Sequence, residues 1–330
     1  MTAPDLPAEL KAALDAKLQG VSRNEAAGRA ALISQTYRAG GGSGVIACEK
    51  DALAYALARM PATYAALTAS LNALREVTPG FAPQSLLDVG AGPGTAGWAA
   101  AEAFSSLQTF HLIDANSALR TLALELARHS TRLRVLKYQR GDARAALADA
   151  GAADLVVASY MIGELGGTER IALADLLWTR ARDTLVVVEP GTPAGYRRIL
   201  ALREQLVASG AHVAAPCPHD KPCPLRAPDW CHFGQRLPRS RGHLQVKGAE
   251  VPFEDEKFSY VALTRRPVAQ HPVRVLMQPV VTKVAISAKM CADRGIVNAV
   301  VPRRQKTAYQ RFRKIDWGDA MFELGEARAE

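Results

Sequence analysis

Five short apolar runs, separated by segments long enough for helices, restrict this chain more than any other feature. They are SLLDVG from Ser85, TFHLIDA from Thr109, RLRVLKY from Arg132, DLVVASY from Asp154 and TLVVVEP from Thr184. Near-continuous apolarity marks strands covered on both faces, and the long intervals allow helical crossovers, so the pattern predicts a parallel sheet in a doubly wound α/β fold. A helix over 194–208, a short run AHVAAP and an antiparallel partner KFSYVALTR follow. The cysteine-bearing stretch between those last two runs becomes an insertion in the sheet.

Residues 5–38 and 48–77 are rich in Ala and Leu at helical spacing, with Gly40-Gly41-Gly42-Ser43-Gly44 between them. Pro61 precedes the stripe Tyr64, Leu67, Leu71 and Leu74, as a first-turn proline or a kink. Near the other end, VRVLM, VVTKVAISAKMC and IVNAVVP read as strands, with a hairpin turn at Asp293-Arg294-Gly295. The residues from Glu323 are expected to fray. The chain thus divides into a helical N-terminal region (1–80), an α/β domain (81–268) with a cysteine-rich insertion (215–245), and a basic C-terminal β appendage with its tail (269–330).

Lys and Arg number 41 against 32 Asp and Glu, a formal +9 that favours polyanionic partners, nucleic acid first. A run of about 18 apolar residues, enough to cross a bilayer as a helix, is absent. The N-terminus mixes acids into its first turns, unlike a signal peptide, and the five cysteines are an odd number. These features predict a cytoplasmic chain with reduced or metal-bound thiols and no membrane partner.

In Leu87-Asp88-Val89-Gly90-Ala91-Gly92-Pro93-Gly94-Thr95 an apolar strand ends in an acid and a glycine-rich turn opens a helix. Gly90, Gly92 and Gly94 permit positive φ and close approach of a ligand to the backbone. Two cofactor classes use such a turn. Gly92 to Gly97 spells G-x-G-x-x-G, with Asp114 placed as the ribose-binding acid of a dinucleotide site. Asp88, however, repels a pyrophosphate and suits the cationic methionyl amine of S-adenosylmethionine. On that reading Asp114 binds the ribose hydroxyls and Asp142 lies near the adenine. Beyond the fourth run, Tyr160 could stack on a base and Glu164 could orient or deprotonate an acceptor nitrogen, although a helix cap with a first-turn acid explains both equally. An Asn-Pro-Pro-Tyr tetrad and a cysteine after the fourth strand are both missing, so the catalytic residue is unassigned.

Cys217, Cys223 and Cys231 gather in APCPHDKPCPLRAPDWCHFGQR. Tetrahedral zinc or a cubane cluster needs a fourth ligand, for which His219, His232 and the distant Cys291 are candidates. Cys48 reads as a bystander.

With DVGAGPGTAGWA, SYMIGEL, EPGTPAGYRRIL, APCPHDKPCPL, DWCHFGQRLPRS, Cys291 followed by Gly295, and Asp316-Trp317-Gly318-Asp319, the chain resembles the methyltransferase-like proteins associated with the mitochondrial small ribosomal subunit and their bacterial homologues. The resemblance runs from Ala54 to Asp319. It implies a class I S-adenosylmethionine-dependent methyltransferase-like sheet, a role in ribosome assembly and translation, and binding of small-subunit ribosomal RNA. It also implies a four-iron, four-sulfur cluster on Cys217, Cys223, Cys231 and Cys291, zinc being the alternative. Basic residues fall in two groups: Arg236, Arg239 and Arg241, then Arg303, Arg304, Lys306, Arg311, Arg313 and Lys314 with Tyr309 and Phe312 interleaved. Two functions compete: an RNA methyltransferase, and a non-catalytic RNA-binding assembly factor with a structural metal site. Either is expected to be monomeric away from the ribosome.

Overall fold

The computed structural model describes residues 4–322 and 328–329. Helices α1 (Ala8–Leu18), α2 (Arg23–Arg38) and α3 (Glu49–Val77) come first. Next are β1 (Ser85–Val89), α4 (Thr95–Ala103), β2 (Thr109–Asp114), α5 (Ser117–Ala127), β3 (Lys137–Arg140), α6 (Ala143–Asp149), β4 (Ala153–Ser159), α7 (Gly167–Arg180), β5 (Ala181–Pro190), α8 (Pro193–Ala208) and β6 (His212–Ala215). They are followed by β7 (Phe233–Pro238), α9 (Arg241–Lys247), β8 (Phe253–Thr264), β9 (Val273–Val275), β10 (Val280–Val281), β11 (Ala285–Ala292), β12 (Gly295–Pro302), α10 (Lys306–Phe312), β13 (Ala320–Met321) and β14 (Arg328–Ala329).

The larger sheet has the order β3-β2-β1-β4-β5-β8-β6, with β7 paired to β8. Its β1, β2, β3 and β4 are parallel and its last pair, β6 with β8, is antiparallel, the arrangement of a class I methyltransferase-like sheet. Two compact units emerge: Met1–Asn72 with Ala82–Val186 and Gln235–Glu256, and Ala73–Phe81 with Val187–Gly234 and Lys257–Glu330.

In the first unit, Leu86, Leu87, Val89, Leu155, Val156 and Val157 are at most 1% exposed, which explains the unbroken apolar runs. Pro61 lies inside α3, which continues through it, and Tyr64, Leu67, Leu71 and Leu74 are all buried. Each such side chain contributes about 2 kcal/mol by leaving water. The third run departs from expectation. Leu133–Val135 forms a single 3₁₀ turn, and the strand starts only at Lys137. The Ser130 hydroxyl accepts from the Arg132 and Leu133 amides, Leu133 plugs the core, and Val135 is left exposed.

Strand β7 and helix α9 were not expected from sequence. Arg236 pairs with Asp255 and lies over the Phe253 ring, Arg239 pairs with Glu254, and Arg241 opens α9. The first basic group is therefore largely neutralised within its own unit.

The second unit carries a six-stranded sheet, β13-β9-β11-β12-β14 with β10 on β11. The β11–β12 hairpin turns through Asp293 and Arg294, with Ala292 opposite Gly295 (φ +117°). Val275, Ile286, Met290, Val301 and Phe312 pack its core. Phe312 is thus turned into the core and unavailable for base stacking, and Tyr309 packs against the same cluster. Of the tail expected to fray, residues 323–327 and 330 lie outside the described residues, while 328–329 pair with β12. Among the described residues no helix is long and apolar enough to cross a membrane.

Candidate functional sites

The glycine turn lies between β1 and α4. Gly90, Gly92 and Gly94 adopt φ of +70°, +53° and +82°, where an L side chain is strained. A Cβ on Gly90 would also sit 2.7 Å from the Met161 side chain. The Gly90 and Ala91 amides donate to the Ile113 carbonyl, and the Tyr138 hydroxyl donates to the Gly92 carbonyl at 2.7 Å. The turn is thereby locked before any ligand arrives.

Asp114 ends β2 and binds the turn directly. Its Oδ2 accepts from the Gly92 amide at 2.9 Å and its Oδ1 from the Asn116 amide at 2.8 Å. With the Ala115 amide also contributing, one of the four acceptor positions of the carboxylate remains for an incoming hydroxyl. Burial raises the Asp114 pKa and the neighbouring backbone amides offset part of that rise. Asn116 caps α5 and donates to the Ser43 and Ile46 carbonyls, so the glycine-rich segment after α2 is tied to this site. Asp142 caps α6, accepting from the Arg144 and Ala145 amides.

Asp88 is wholly buried, and among the described residues neither carboxyl oxygen has a partner at full hydrogen-bonding geometry. Burial first, then the charge of Asp114, pushes its pKa up to about 8, with the Gly97 amide lowering it slightly. The folded chain therefore holds a proton that the unfolded chain releases, from the ordinary aspartate range up to about pH 8. Stability of the ligand-free protein falls as pH rises through that window, by up to about 1.4 kcal/mol per pKa unit. Asp88→Asn is expected to abolish this component, gaining stability over wild type at pH 8 and much less at pH 5. Denaturant melts at the two pH values test it, and parallel pH dependences in both proteins contradict it.

Tyr160 and Glu164 lie just beyond β4. Tyr160 has φ +56°, the sole positive value at a non-glycine among the described residues, and its hydroxyl donates to Glu256 at 2.9 Å. Such strain persists only where surrounding contacts enforce it. Arg59 of α3 lies 3.6 Å from the same carboxylate. Glu164 is exposed, closes a 3₁₀ turn that Ile162 anchors in the core, and approaches Gly42.

The second unit brings Cys217, Cys223, Cys231 and Cys291 to the walls of one cavity of about 30 Å³. All four are free thiols. Burial first, then the neighbouring thiols, raises the pKa of Cys231 well above the usual range and that of Cys291 to about 12. Burial likewise raises Cys217, against the pull of Arg203. Cys217, Cys231 and Cys291 stay protonated at neutral pH unless a cation enters among them. The Tyr196 hydroxyl donates to Cys223 Sγ at 3.2 Å, and Arg203 and Arg274 complete the polar lining.

His219 and His232 do not line this cavity. His232 stacks on Trp230 at 4.8 Å and meets the edge of Trp317 at 4.9 Å, while Trp317 donates to the His232 carbonyl. That contact accounts for the Asp316-Trp317-Gly318-Asp319 segment, whose Gly318 carbonyl also accepts from Arg274 at 2.8 Å. Cys48 is exposed and donates to Asp51. Among the described residues, no three His, Cys, Asp or Glu side chains have the spacing to hold a single metal ion. Sequence reasoning missed Tyr196, Arg203 and Arg274, which carried no motif of their own.

Sheet order and glycine turn define a class I methyltransferase-like protein with an additional thiol-lined cavity. The chain belongs to the family described as mitochondrial small ribosomal subunit Rsm22, which it matches over residues 49–322. It is 29% identical over 294 residues to the human "Ribosome assembly protein METTL17, mitochondrial", covering 82% of this chain and 62% of that protein. It is 25% identical over 324 residues to "Rsm22-cox11 tandem protein 2, mitochondrial" of Schizosaccharomyces pombe (strain 972 / ATCC 24843), covering 82% of this chain and 43% of that one. The chain thus spans less than two thirds of either relative. Among solved structures it is similar to magnesium protoporphyrin IX methyltransferase of Synechocystis PCC 6803, with TM-score 0.40, 13% identity and coverage of 70% and 90%. The precorrin-6y C5,15-methyltransferase of Geobacter metallireducens GS-15 gives TM-score 0.40, 14% identity and coverage of 60% and 86%.

Proposed function

We propose that this chain is a methyltransferase-fold assembly factor of the small ribosomal subunit. It binds small-subunit ribosomal RNA through its second unit, S-adenosylmethionine at the glycine turn, and a four-iron, four-sulfur cluster on Cys217, Cys223, Cys231 and Cys291. One observation carries the reading. The hairpin that brings Cys291 to the cavity continues through β12 into Arg303, Arg304, Lys306, Arg311, Arg313 and Lys314, all exposed. A metal-tied hairpin thus presents a cationic face. Family membership and the human relative's name, a ribosome assembly protein, support the polyanionic partner being ribosomal RNA.

Replacing Arg303, Arg304 and Lys306 by Gln is expected to weaken binding to a small-subunit RNA fragment. If all three contact phosphates, the slope of log affinity against log salt falls by about 2, at roughly 0.7 per contact on single strands. Filter binding at several salt concentrations measures both quantities. Unchanged affinity and slope would remove this face from the account.

S-adenosylmethionine brings an electrophilic methyl group with a good leaving group, so the protein's task is positioning. Asp114 is placed to accept from a ribose hydroxyl, the glycine backbone lets the ligand approach, and Asp88 acts electrostatically from beneath the turn. A cation bound there favours ionised Asp88. Calorimetry is expected to show binding coupled to proton release, tighter at pH 8 than at pH 6 and weakened more than tenfold by Asp114→Ala. Absence of binding by metal-loaded wild type would end the cofactor reading.

The non-catalytic reading also has an observation in its favour, because the Tyr160 hydroxyl is engaged by Glu256. Cells carrying Asp114→Ala decide the matter. Normal subunit maturation with no missing methyl group favours the binding factor, and one missing group favours the enzyme.

A further inference from the structure

The thiol cavity contains an electrostatic imbalance. Arg203 on α8 and Arg274 on β9 are 2% and 1% exposed. Arg203 donates to two backbone carbonyls, those of His219 at 2.8 Å and Lys221 at 2.7 Å. Arg274 donates to the carbonyls of Gly318 at 2.8 Å and Pro216 at 3.4 Å, and to the Glu76 carboxylate at 3.4 Å. Among the described residues Arg274 is paired with the Glu76 carboxylate and feels the charge of Asp319, whereas Arg203 is held by carbonyls. Arg203 Nε and Arg274 Nη2 have no hydrogen-bond partner among the described residues.

An uncompensated buried ion costs several kcal/mol, and a guanidinium does not shed its proton to escape that cost. The compensating charge must come from what lines or fills the cavity. Cys291 lies directly across the β9–β11 ladder from Arg274, and both arginines line the cavity together with the four cysteines. Four thiolates around an iron-sulfur core of charge +2 sum to about −2, and the two arginines, less the Glu76 charge, offset about half of that sum.

We propose that Arg203 and Arg274 are positioning residues that offset part of the charge of a dianionic metal-thiolate centre in this cavity, with Tyr196 hydrogen-bonding the sulfur of Cys223. This rests on the metal-centre reading above and adds the charge of the centre and the residues that balance it. The pair lowers the cost of assembling four thiolates in an apolar enclosure. It also favours uptake of an electron by the centre, because net charge and hydrogen bonds to sulfur set such potentials.

The test uses the full chain purified anaerobically as wild type, Arg203→Met, Arg274→Met, Arg203→Lys and Tyr196→Phe. Iron, sulfide and zinc content, far-UV circular dichroism, release of metal to a chelator and midpoint potential are measured for each. The Met variants are expected to remain folded, to release metal at least several-fold faster and to have a more negative midpoint potential. Arg203→Lys keeps the charge and is expected to stay close to wild type, whereas Tyr196→Phe lowers the potential with little loss of metal. A folded Met variant with wild-type release rate and potential overturns the proposal. Should the Met variants not fold, Arg203→Lys and Tyr196→Phe decide: a wild-type potential for the first and a lowered one for the second support it, and any other pair of values overturns it. Wild type containing zinc in place of iron sinks the iron-sulfur reading alone, since zinc charges four thiolates identically and release rates still judge the arginines. Wild type binding neither metal sinks both.

Discussion

Cys291→Ser is expected to lose about tenfold or more of the bound metal and to open the C-terminal sheet to proteolysis, leaving the parallel strands β1 to β4 folded. The reasoning follows from what else ties the β11–β12 hairpin to the cysteine stretch. Lys221 pairs with Asp293 and Lys289 with Asp229, but Lys221, Asp293 and Asp229 are all exposed. Such solvent-screened pairs contribute little. A structural metal contributes far more, with apparent binding energies of about 10–16 kcal/mol for zinc in small domains. Cys291 is 7% exposed, so serine also leaves a buried hydroxyl without an assured partner. Limited proteolysis with peptide mapping between 269 and 322, alongside metal analysis, reads both effects. Wild-type metal content in this variant removes Cys291 from the ligand set.

Gly195→Ala carries the largest expected effect outside the cysteines, a loss of about 3 kcal/mol. A Cβ at Gly195 would fall 1.9 Å from the Pro190 carbonyl oxygen. That oxygen already accepts from the Thr192 amide at 2.7 Å, while the Thr192 hydroxyl caps α8 by accepting from the Gly195 amide at 3.1 Å. Admitting a methyl group pushes the start of α8 away from β5, and α8 carries Tyr196 and Arg203 into the thiol cavity. Lower stability and lower metal content should therefore appear together. Gly151→Ala is the control: nothing lies within 4 Å of its Cβ and its φ is not positive, so its stability should change by no more than about 0.5 kcal/mol. Chemical denaturation of the two variants makes the comparison, and equal midpoints contradict it.

The sheet was legible because burial on both faces leaves unbroken apolar runs, and the glycine turn because its φ angles exclude other residues. The third strand was displaced because Leu133 and Val135 alternate as a strand would, whereas the Ser130 cap that converts them into a 3₁₀ turn is a local hydrogen-bonding choice. Strand β7 and helix α9 were hidden for a different reason. Arg236 and Arg239 read as part of a basic group facing a polyanion, and the acids that neutralise them lie on β8, 19 and 15 residues further on. Arg203 shows the limit most clearly. Within ALREQLVAS a basic residue on a helix is ordinarily exposed, and only the loop carbonyls of His219 and Lys221 reveal that this one is buried.

The most direct test of the account is X-ray absorption at the iron and zinc edges of the full chain purified without oxygen, with sulfide quantified on the same sample. The account predicts about four iron and four sulfide per chain, with an all-sulfur first shell that disappears in Cys291→Ser. Stoichiometric zinc, or a folded protein with no metal and four thiols open to alkylation, would contradict it.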